Sequence, residues 1–317
     1  MIKRPTTLIL GAGASVPFGF PSGEKLRNDV LSRLNPGNVI SYGETLQLFY
    51  KLDFGEDILK AFTAALLRSG KLSVDSFLEH RPEFIPIGKA AIALELIRYE
   101  NENNLLYSDK MTWYQYLFNH LNTMFDDFDK NNLKILTFNY DRSLEHYLFT
   151  ALVNSYGKPG DECVKKLTAV PIIHLHGDLG ELPYLSKGGK LMRSYRPAIN
   201  VENVRIAAER IKIIHEGIEK ESQYERAYEI LKQSELICFL GFGYHELNLT
   251  RLKFNRQPTN PFPRAQEVIG SSFGLTDSEC ANISRLFAVG LRFGRNQDLR
   301  NFDVLTFLRE MGILHHN

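Results

Sequence analysis

An apolar run that empties into a glycine turn is the feature that most constrains the fold of this chain. Leu8, Ile9 and Leu10 lead directly into residues 11–15, GAGAS. Glycine allows backbone N–H groups to approach a ligand closely, and a helix beginning just beyond the turn would add its positive N-terminal end. The match to the dinucleotide pattern G-x-G-x-x-G is partial, because Val16 replaces the third glycine. The turn alone leaves two interpretations open, a phosphate site or a strand-to-helix turn without a ligand.

Length and charge narrow the class of protein. The chain has 317 residues, enough to bury a large core, and we predict a single domain over residues 1–317. Its formal net charge is +1, so no global charge directs it to nucleic acid or to a membrane surface. Any anionic ligand must therefore be recognised locally.

The cysteines and the N-terminus indicate a reduced, cytoplasmic protein. Cys163, Cys238 and Cys280 are far apart and form no C-x-x-C pair, which argues against a zinc ribbon or a disulfide scaffold. The first apolar run stops at Gly11, too short for a signal-peptide core, and no stretch approaches a membrane span. We expect no metal and no membrane association.

Short apolar runs that each enter polar or glycine residues recur along the chain. They lie at residues 133–138, 172–175, 236–240 and 268–269, with helical candidates at 142–152 and 201–231. This pattern is typical of parallel strands covered on both faces. We predict an α/β fold, a doubly wound parallel Rossmann-like sheet with its ligand site outside the carboxyl ends of the strands.

The stretch from about residue 44 to 130 has no alternating strands and predicts a helical insertion. Its apolar spacing is clearest from Leu117 to Phe128, and Ser73 or Asp75 can begin a helix within SVDSFLE. Before the insertion, Ser22 can cap a helix over residues 23–34, which completes a strand, turn and helix unit.

Polar residues and glycines follow each predicted strand, at residues 139–141, 176–178, 241–243 and 270–272. Each set has a structural interpretation: Asn139 and Asp141 can cap the next helix, a lone histidine is usually a hydrogen-bonded structural residue, and glycines can simply allow a turn. Because parallel strands end at one edge of the sheet, we expect the sets to converge. An amide, an imidazole and a phosphate-accommodating turn together suit cleavage of a nucleotide glycosidic bond.

The order of these motifs resembles the sirtuin superfamily, the Sir2-like NAD-binding proteins. The family's G-A-G-x-S with a later G-x-P, its T-x-N-x-D, its H-G and its later glycine motif occur in the same order over most of the chain. They match Gly11, Ala12, Gly13, Ser15, Gly19, Pro21, Thr137, Asn139, Asp141, His176, Gly177, Gly241, Phe242 and Gly243.

The departures from the sirtuin pattern are specific. Deacylating sirtuins carry D-F-R where this chain has Ser22, Gly23 and Glu24, and glutamine where it has Phe138. Their four-cysteine zinc module has no counterpart in residues 178–197. The insertion before the asparagine motif instead resembles the zinc-less Sir2-like NADases of bacterial antiphage defence.

That resemblance implies an NAD+ hydrolase that cleaves the nicotinamide–ribose bond to give nicotinamide and ADP-ribose and so depletes NAD in an infected cell. Asn139 would hold the ribose hydroxyls or the attacking water, Asp141 would contact the nicotinamide carboxamide, and His176 would be the general base. An ordinary histidine pKa of about 6.5 would suit that last role near neutral pH.

The remaining matched residues would bind the rest of the dinucleotide. Gly11, Ala12, Gly13 and Ser15 would cradle the pyrophosphate, while Gly241, Phe242, Gly243 and Ser271 would line the adenosine side. Pro21 and Thr137 belong to the same motifs.

Two alternatives stay open: an NAD-dependent protein deacylase, and a non-catalytic NAD or ADP-ribose sensor subunit. An NADase that was always active would be toxic, so the resemblance also implies restraint by a homo-oligomer or by a companion defence protein such as an ATPase. We expect no direct nucleic-acid partner.

Overall fold

A computed structural model describes residues 1–186, 188–213, 222–254, 267–287, 291–293 and 302–315. It is an α/β fold around a six-stranded sheet with the strand order β3-β2-β1-β4-β5-β6, and every neighbouring pair of strands is parallel. The strands are β1 Thr6–Leu10, β2 Leu133–Thr137, β3 Ile172–His174, β4 Leu236–Leu240, β5 Glu267–Gly270 and β6 Leu291–Phe293. The prediction of a parallel, Rossmann-like α/β sheet is confirmed.

Helices fill the connections between the strands. Between β1 and β2 lie α1 Gly23–Arg33, α2 Val39–Tyr50, α3 Glu56–Arg68, α4 Val74–Leu78, α5 Ile85–Ile97, α6 Glu102–Leu106 and α7 Trp113–Leu121. The later helices are α8 Ser143–Tyr156, α9 Gly160–Leu167, α10 Val201–Arg210, α11 Ser222–Lys232, α12 Glu246–Arg251, α13 Asp277–Leu286 and α14 Val304–Glu310. None of the described helices combines the length and the apolar character needed to cross a bilayer.

The continuous apolar runs form strands because both faces of the sheet are covered. In β1, Leu8 and Leu10 pack into one buried cluster with helices such as α1 and α5, whereas Ile9 packs into a second cluster with α11 and α12. Successive strand residues point to opposite faces, so a strand buried on both sides needs apolar residues at every position.

The predicted helix starts are largely confirmed by their caps. Ser22 accepts a hydrogen bond from the Lys25 N–H at 3.3 Å and begins α1. Ser73 and Ser76 form a reciprocal capping box at the start of α4. A cap hydroxyl satisfies N–H groups that have no partner inside the helix.

Three expectations about secondary structure differ from the observed elements. The apolar face predicted to continue from Leu117 to Phe128 breaks after α7, and Met124 is 77% exposed before a 3-10 helix over Phe125–Lys130. The helical candidate over 201–231 is observed as α10 and α11, and Ile218 between them lies outside the described residues. The edge strand β6 was not predicted.

A buried cluster of charged residues, Glu100, Arg142 and Arg193, links the segments that follow α5, β2 and β3. Glu100, just after α5, receives hydrogen bonds from Arg142 Nε at 2.9 Å and from Arg193 Nη2 at 2.6 Å. Arg142 also donates to the backbone carbonyl oxygens of Gly180 and Arg193. The charges are paired and hydrogen-bonded, which allows them to be buried, and the cluster fixes the backbone next to Asp141.

Candidate functional site

A cavity of about 280 Å³ lies at the carboxyl ends of the strands. The loops after β1, β2, β3 and β4 contribute to its wall, as expected for an open parallel sheet. The predicted site residues that line it are Gly11, Ala12, Ser15, Pro21, Asn139, Asp141, His176, Phe242 and Gly243.

The glycine turn differs in detail from the predicted phosphate cradle. Residues after β1 form two short 3-10 helices, Ala12–Ala14 and Val16–Phe18, and α1 begins only at Gly23. The N–H groups of Gly11 and Gly13 already donate to the carbonyl oxygens of Leu240 and Gly241, at 3.0 and 2.9 Å. An α-helix N-terminus therefore does not directly follow the turn, and part of its backbone bonds to the loop after β4.

Gly13 and Gly241 bring two backbones together and do not line the cavity. A Cβ on Gly13 would lie 2.9 Å from Gly241 Cα, and one on Gly241 would lie 2.2 Å from the Ala14 nitrogen. Gly241 also has a φ of 56°, in the left-handed region that favours glycine. The glycines at these positions permit close packing of the loops after β1 and β4.

Thr137 and Ser271 also lie behind the cavity wall. Thr137 Oγ1 accepts a hydrogen bond from the Asn139 N–H at 3.0 Å, and Ser271 Oγ accepts one from the Gly241 N–H at 2.9 Å. Both side chains are buried. They hold the loops that line the cavity, so the expectation that Ser271 lines an adenosine site is not what the structure shows.

Asn139 is fixed by its side-chain amide. Its Nδ2 donates to the Gly11 carbonyl oxygen and to Ser15 Oγ, each at 3.0 Å. An amide has two N–H donors, and both are used here. Only Oδ1 is left to face a ligand, and it can act there as an acceptor alone.

Asp141 lies both at the start of a helix and at the cavity, so the structure is compatible with the helix-capping and the ligand-contacting interpretations of the sequence. Its carboxylate lines the cavity and also accepts hydrogen bonds from Ser15 Oγ at 2.7 Å and from the Ser143 N–H at 3.2 Å, at the start of α8. The Ser143 hydroxyl donates to the same carboxylate. Burial raises the pKa of Asp141, although the hydroxyl hydrogen bonds oppose that shift.

His176 lies in the apolar part of the cavity wall. Its ring packs edge-to-face on Phe138 with centroids 5.0 Å apart, and the residue is only 6% exposed. Burial, assisted by the positive charge of Arg251, lowers the pKa of His176 to about 3. The imidazole is therefore neutral at physiological pH, and its pKa lies below the ordinary value used in the sequence-based prediction.

The Nε2 atom of His176 has no hydrogen-bond partner among the described residues. A buried polar atom without a partner costs free energy, so native proteins rarely leave one unless a ligand or water satisfies it. His176 lines the cavity, although Nε2 itself is buried within the wall and is not open to the cavity.

The neighbouring histidine is fully engaged. His174 Nδ1 contacts the Asn139 carbonyl oxygen at 2.8 Å, and Nε2 bonds to Glu145. Burial lowers the pKa of His174, but the charge of Glu145 and these hydrogen bonds outweigh it and raise the pKa to about 9. His174 is a charged residue that positions Asn139, and it does not line the cavity.

The residues that α4 and the loop after β4 bring to the cavity were not identified from the sequence as part of the site. They are Ser73, Asp75, Ser76, Glu79, His245 and Asn248. The available signal was the pair of acidic residues, Asp75 and Glu79, placed about one helical turn apart in a short segment. Nothing in the spacing of SVDSFLE indicated that this turn faces the strand ends.

In the described part of the chain, no group of three or more His, Cys, Asp or Glu side chains is arranged to hold a metal ion. The cavity instead offers hydrogen-bonding amide, imidazole and carboxylate groups beside an apolar wall. Such a site can bury the apolar part of an organic ligand and orient its polar groups.

No protein-family model matches the sequence, and no curated protein matches it.

Proposed function

We propose that the chain is a Sir2-like NAD+ glycohydrolase, an NADase that releases nicotinamide and ADP-ribose. Asn139, Asp141 and His176 line one cavity, and the buried Nε2 of His176 has no partner among the described residues. This observation carries the proposal, because a fully satisfied histidine would have had a structural role alone.

The proposal includes the finer architecture. We assign the sheet to the doubly wound class, because its strand order is β3-β2-β1-β4-β5-β6 and apolar clusters cover both faces. The helices between β1 and β2, over about residues 44–130, are an insertion in a single catalytic domain, and α4 of that insertion supplies part of the cavity wall.

NAD would enter with its nicotinamide ribose in the cavity. Asn139 Oδ1 would accept a hydrogen bond from a ribose hydroxyl or from the attacking water, since its amide N–H groups are already used. Asp141, whose two carboxylate oxygens are partly satisfied, would use its remaining acceptor capacity for the N–H groups of the carboxamide.

The reaction breaks the bond between ribose C1' and the pyridinium nitrogen. Both electrons of that bond go to nitrogen, which neutralises the ring and leaves oxocarbenium character on the ribose. Water forms the new bond to C1' and loses one proton, so the products are nicotinamide, ADP-ribose and a proton. Fixed dipoles near C1' stabilise the positive charge that develops there.

His176 would act as the acceptor for that proton or for a ribose hydroxyl. Its imidazole is neutral because burial lowers the pKa to about 3, so the ring keeps one unprotonated nitrogen throughout the physiological range, and in the proposed role that nitrogen is Nε2. A base as weak as this contributes mainly by orienting the attacking water. A bound substrate that excludes solvent would strengthen the hydrogen bond between His176 and that water.

The test is the mixture of products formed from NAD. Purified protein is incubated with NAD, with and without an acylated peptide, after size-exclusion separation of any oligomers. Free ADP-ribose and nicotinamide without peptide would support the hydrolase. O-acyl-ADP-ribose formed only with peptide would identify a deacylase, and binding of NAD or ADP-ribose without turnover would identify a sensor.

We also propose that the activity is restrained by self-assembly or by a companion protein and that it depletes NAD as an antiphage defence. Separating the oligomers before the assay addresses the first part directly. A specific activity that changes between oligomeric fractions would support control by assembly.

A further inference from the structure

Helix α4 and the residue that follows it bring two acidic side chains to the cavity, Asp75 within the helix and Glu79 at its C-cap. Residues four apart lie on the same face of a helix, so both side chains reach the same wall. Tyr140 donates its hydroxyl to Asp75 Oδ1, which ties α4 to the loop that carries Asn139 and Asp141.

Glu79 differs from Asp75 in having no partner. The residue is 6% exposed, and among the described residues its carboxylate has no hydrogen-bond or ion-pair partner. No Lys or Arg in the described part of the chain lines the cavity. The carboxylate oxygens of Glu79 are not among the fully buried atoms, so they can accept hydrogen bonds from a ligand in the cavity.

The unpartnered Nε2 of His176 is an independent indication of a ligand in the same cavity. Two polar side chains of different chemistry, a carboxylate and an imidazole, thus lack hydrogen-bond partners among the described residues. A ligand that satisfies the carboxylate must offer hydrogen-bond donors, and a positive charge on the ligand would strengthen that contact.

We infer that Glu79 binds the positively charged nicotinamide–ribose end of the substrate, so that the cavity selects an oxidised over a reduced nicotinamide dinucleotide. This inference rests on the proposed function for the identity of the ligand. Glu79 is a further substrate-binding residue, and Asp75 fixes the adjacent wall through Tyr140.

The selectivity follows from charge. The oxidised pyridinium ring carries a positive charge that the reduced dihydropyridine lacks, while the rest of the two dinucleotides is the same. A carboxylate in the wall of a protein cavity attracts that charge more strongly than it would in bulk water. During cleavage the charge moves from the ring to C1' without leaving the cavity, so one carboxylate can stabilise the ground state and the transition state.

The experiment measures the affinity of NAD+ and NADH for the wild-type protein and for Glu79→Gln by calorimetry. We expect the wild type to prefer NAD+ by about 10-fold or more, equivalent to one strong charge interaction. The Glu79→Gln variant should lose most of that preference, to within about 3-fold, mainly by weaker NAD+ binding.

Glu83→Gln is the matched control. It removes the same charge close to α4 from an exposed residue that pairs with Arg81 and does not line the cavity. Its preference for NAD+ should equal that of the wild type. No preference in the wild type, or an equal preference in Glu79→Gln, would overturn the inference.

Thermal stability and turnover separate the possible failures. Because Gln matches the size of Glu and Glu79 has no side-chain partner to lose among the described residues, the melting temperature of Glu79→Gln should stay close to that of the wild type, and failure to fold would contradict the unpaired state. A wild type that releases no nicotinamide but shows a Glu79-dependent preference would refute the hydrolase and keep this inference. If the wild type hydrolyses NAD but its preference for NAD+ does not depend on Glu79, the hydrolase stands and this inference is refuted.

Discussion

Asn139 donates a hydrogen bond from Nδ2 to Ser15 Oγ at 3.0 Å, and Ser15 in turn donates to Asp141 at 2.7 Å. These contacts join the loop after β1 to the loop after β2, two strands that are neighbours in the sheet. Ser15, which the sequence assigned to pyrophosphate binding, is therefore also the residue that orients both polar side chains of the second motif.

Ser15→Ala should lower nicotinamide release by about 10- to 100-fold with little change in fold. The substitution leaves a donor of Asn139 without its partner and removes a donor from Asp141, and each lost hydrogen bond of this kind costs about 1–2 kcal/mol. Steady-state kinetics of nicotinamide release measure the effect. Thr63→Ala, which removes a hydroxyl bonded to the Leu59 carbonyl oxygen within α3, is the control and should keep full activity.

The raised pKa of His174 should make part of the stability depend on pH. The folded protein holds this proton up to about pH 9, whereas the unfolded chain releases it near the ordinary value. The stabilisation is therefore fully present below about pH 6.5 and is lost as the pH rises through about 9.

Melting temperatures of the wild type and His174→Ala at several pH values test this dependence. We expect the variant to be less stable by about 1–3 kcal/mol at pH 6 and the difference to shrink towards pH 9. A difference that grows at high pH would contradict the Glu145 pairing. Activity should also fall in the variant, because His174 Nδ1 holds the Asn139 carbonyl oxygen.

The lowered pKa of His176 predicts a turnover profile without a histidine step. Since His176 stays neutral down to about pH 3, kcat/KM should not fall between about pH 8 and 5.5 through protonation of this residue. His176 and His174 affect the pH dependence of the free energy of unfolding in opposite directions. Below about pH 6.5 the unfolded chain binds a proton at His176 and the folded protein does not, so His176 lowers the stability as the pH falls. A bell-shaped profile with an acidic limb near pH 6.5, absent in an active His176→Asn variant, would contradict this burial.

Gly241→Ala should destabilise the protein by about 2–4 kcal/mol, because a side chain there meets both a left-handed φ and the backbone at Ala14. Denaturant unfolding measures the change. The control is Gly43→Ala, at a helical glycine with nothing within 4 Å of its added Cβ, which should be neutral or stabilise α2 by up to about 1 kcal/mol. Equal effects of the two substitutions would show that the loops after β1 and β4 are not closely packed.

The sequence predicts the central sheet well because a strand buried on both faces needs an unbroken apolar run. Residues 236–240 illustrate this, since the predicted and observed limits of β4 agree. The edge strand β6 spans only Leu291–Phe293 and has too few residues to show a periodicity.

The site was predicted less completely than the sheet. In a parallel sheet the residues that follow the strands lie at one edge, and this rule predicted that Asn139, Asp141 and His176 lie close together. All three line the cavity. No such rule places a helix of an insertion, so Glu79 was not identified. Tertiary packing also determines the close contact between Gly13 and Gly241 and the burial of His176. The neighbouring sequence does not indicate either feature.

The most direct test of the account is the rate of nicotinamide release from NAD by the wild type, Asn139→Ala and His176→Ala, measured beside ADP-ribose affinity. We predict release by the wild type, a loss of about two to four orders of magnitude in each variant, and ADP-ribose affinities within about 3-fold of one another. Nicotinamide release that is absent from the wild type, or that is unchanged in both folded variants, would contradict the assignment of this cavity as an NAD+ hydrolase site.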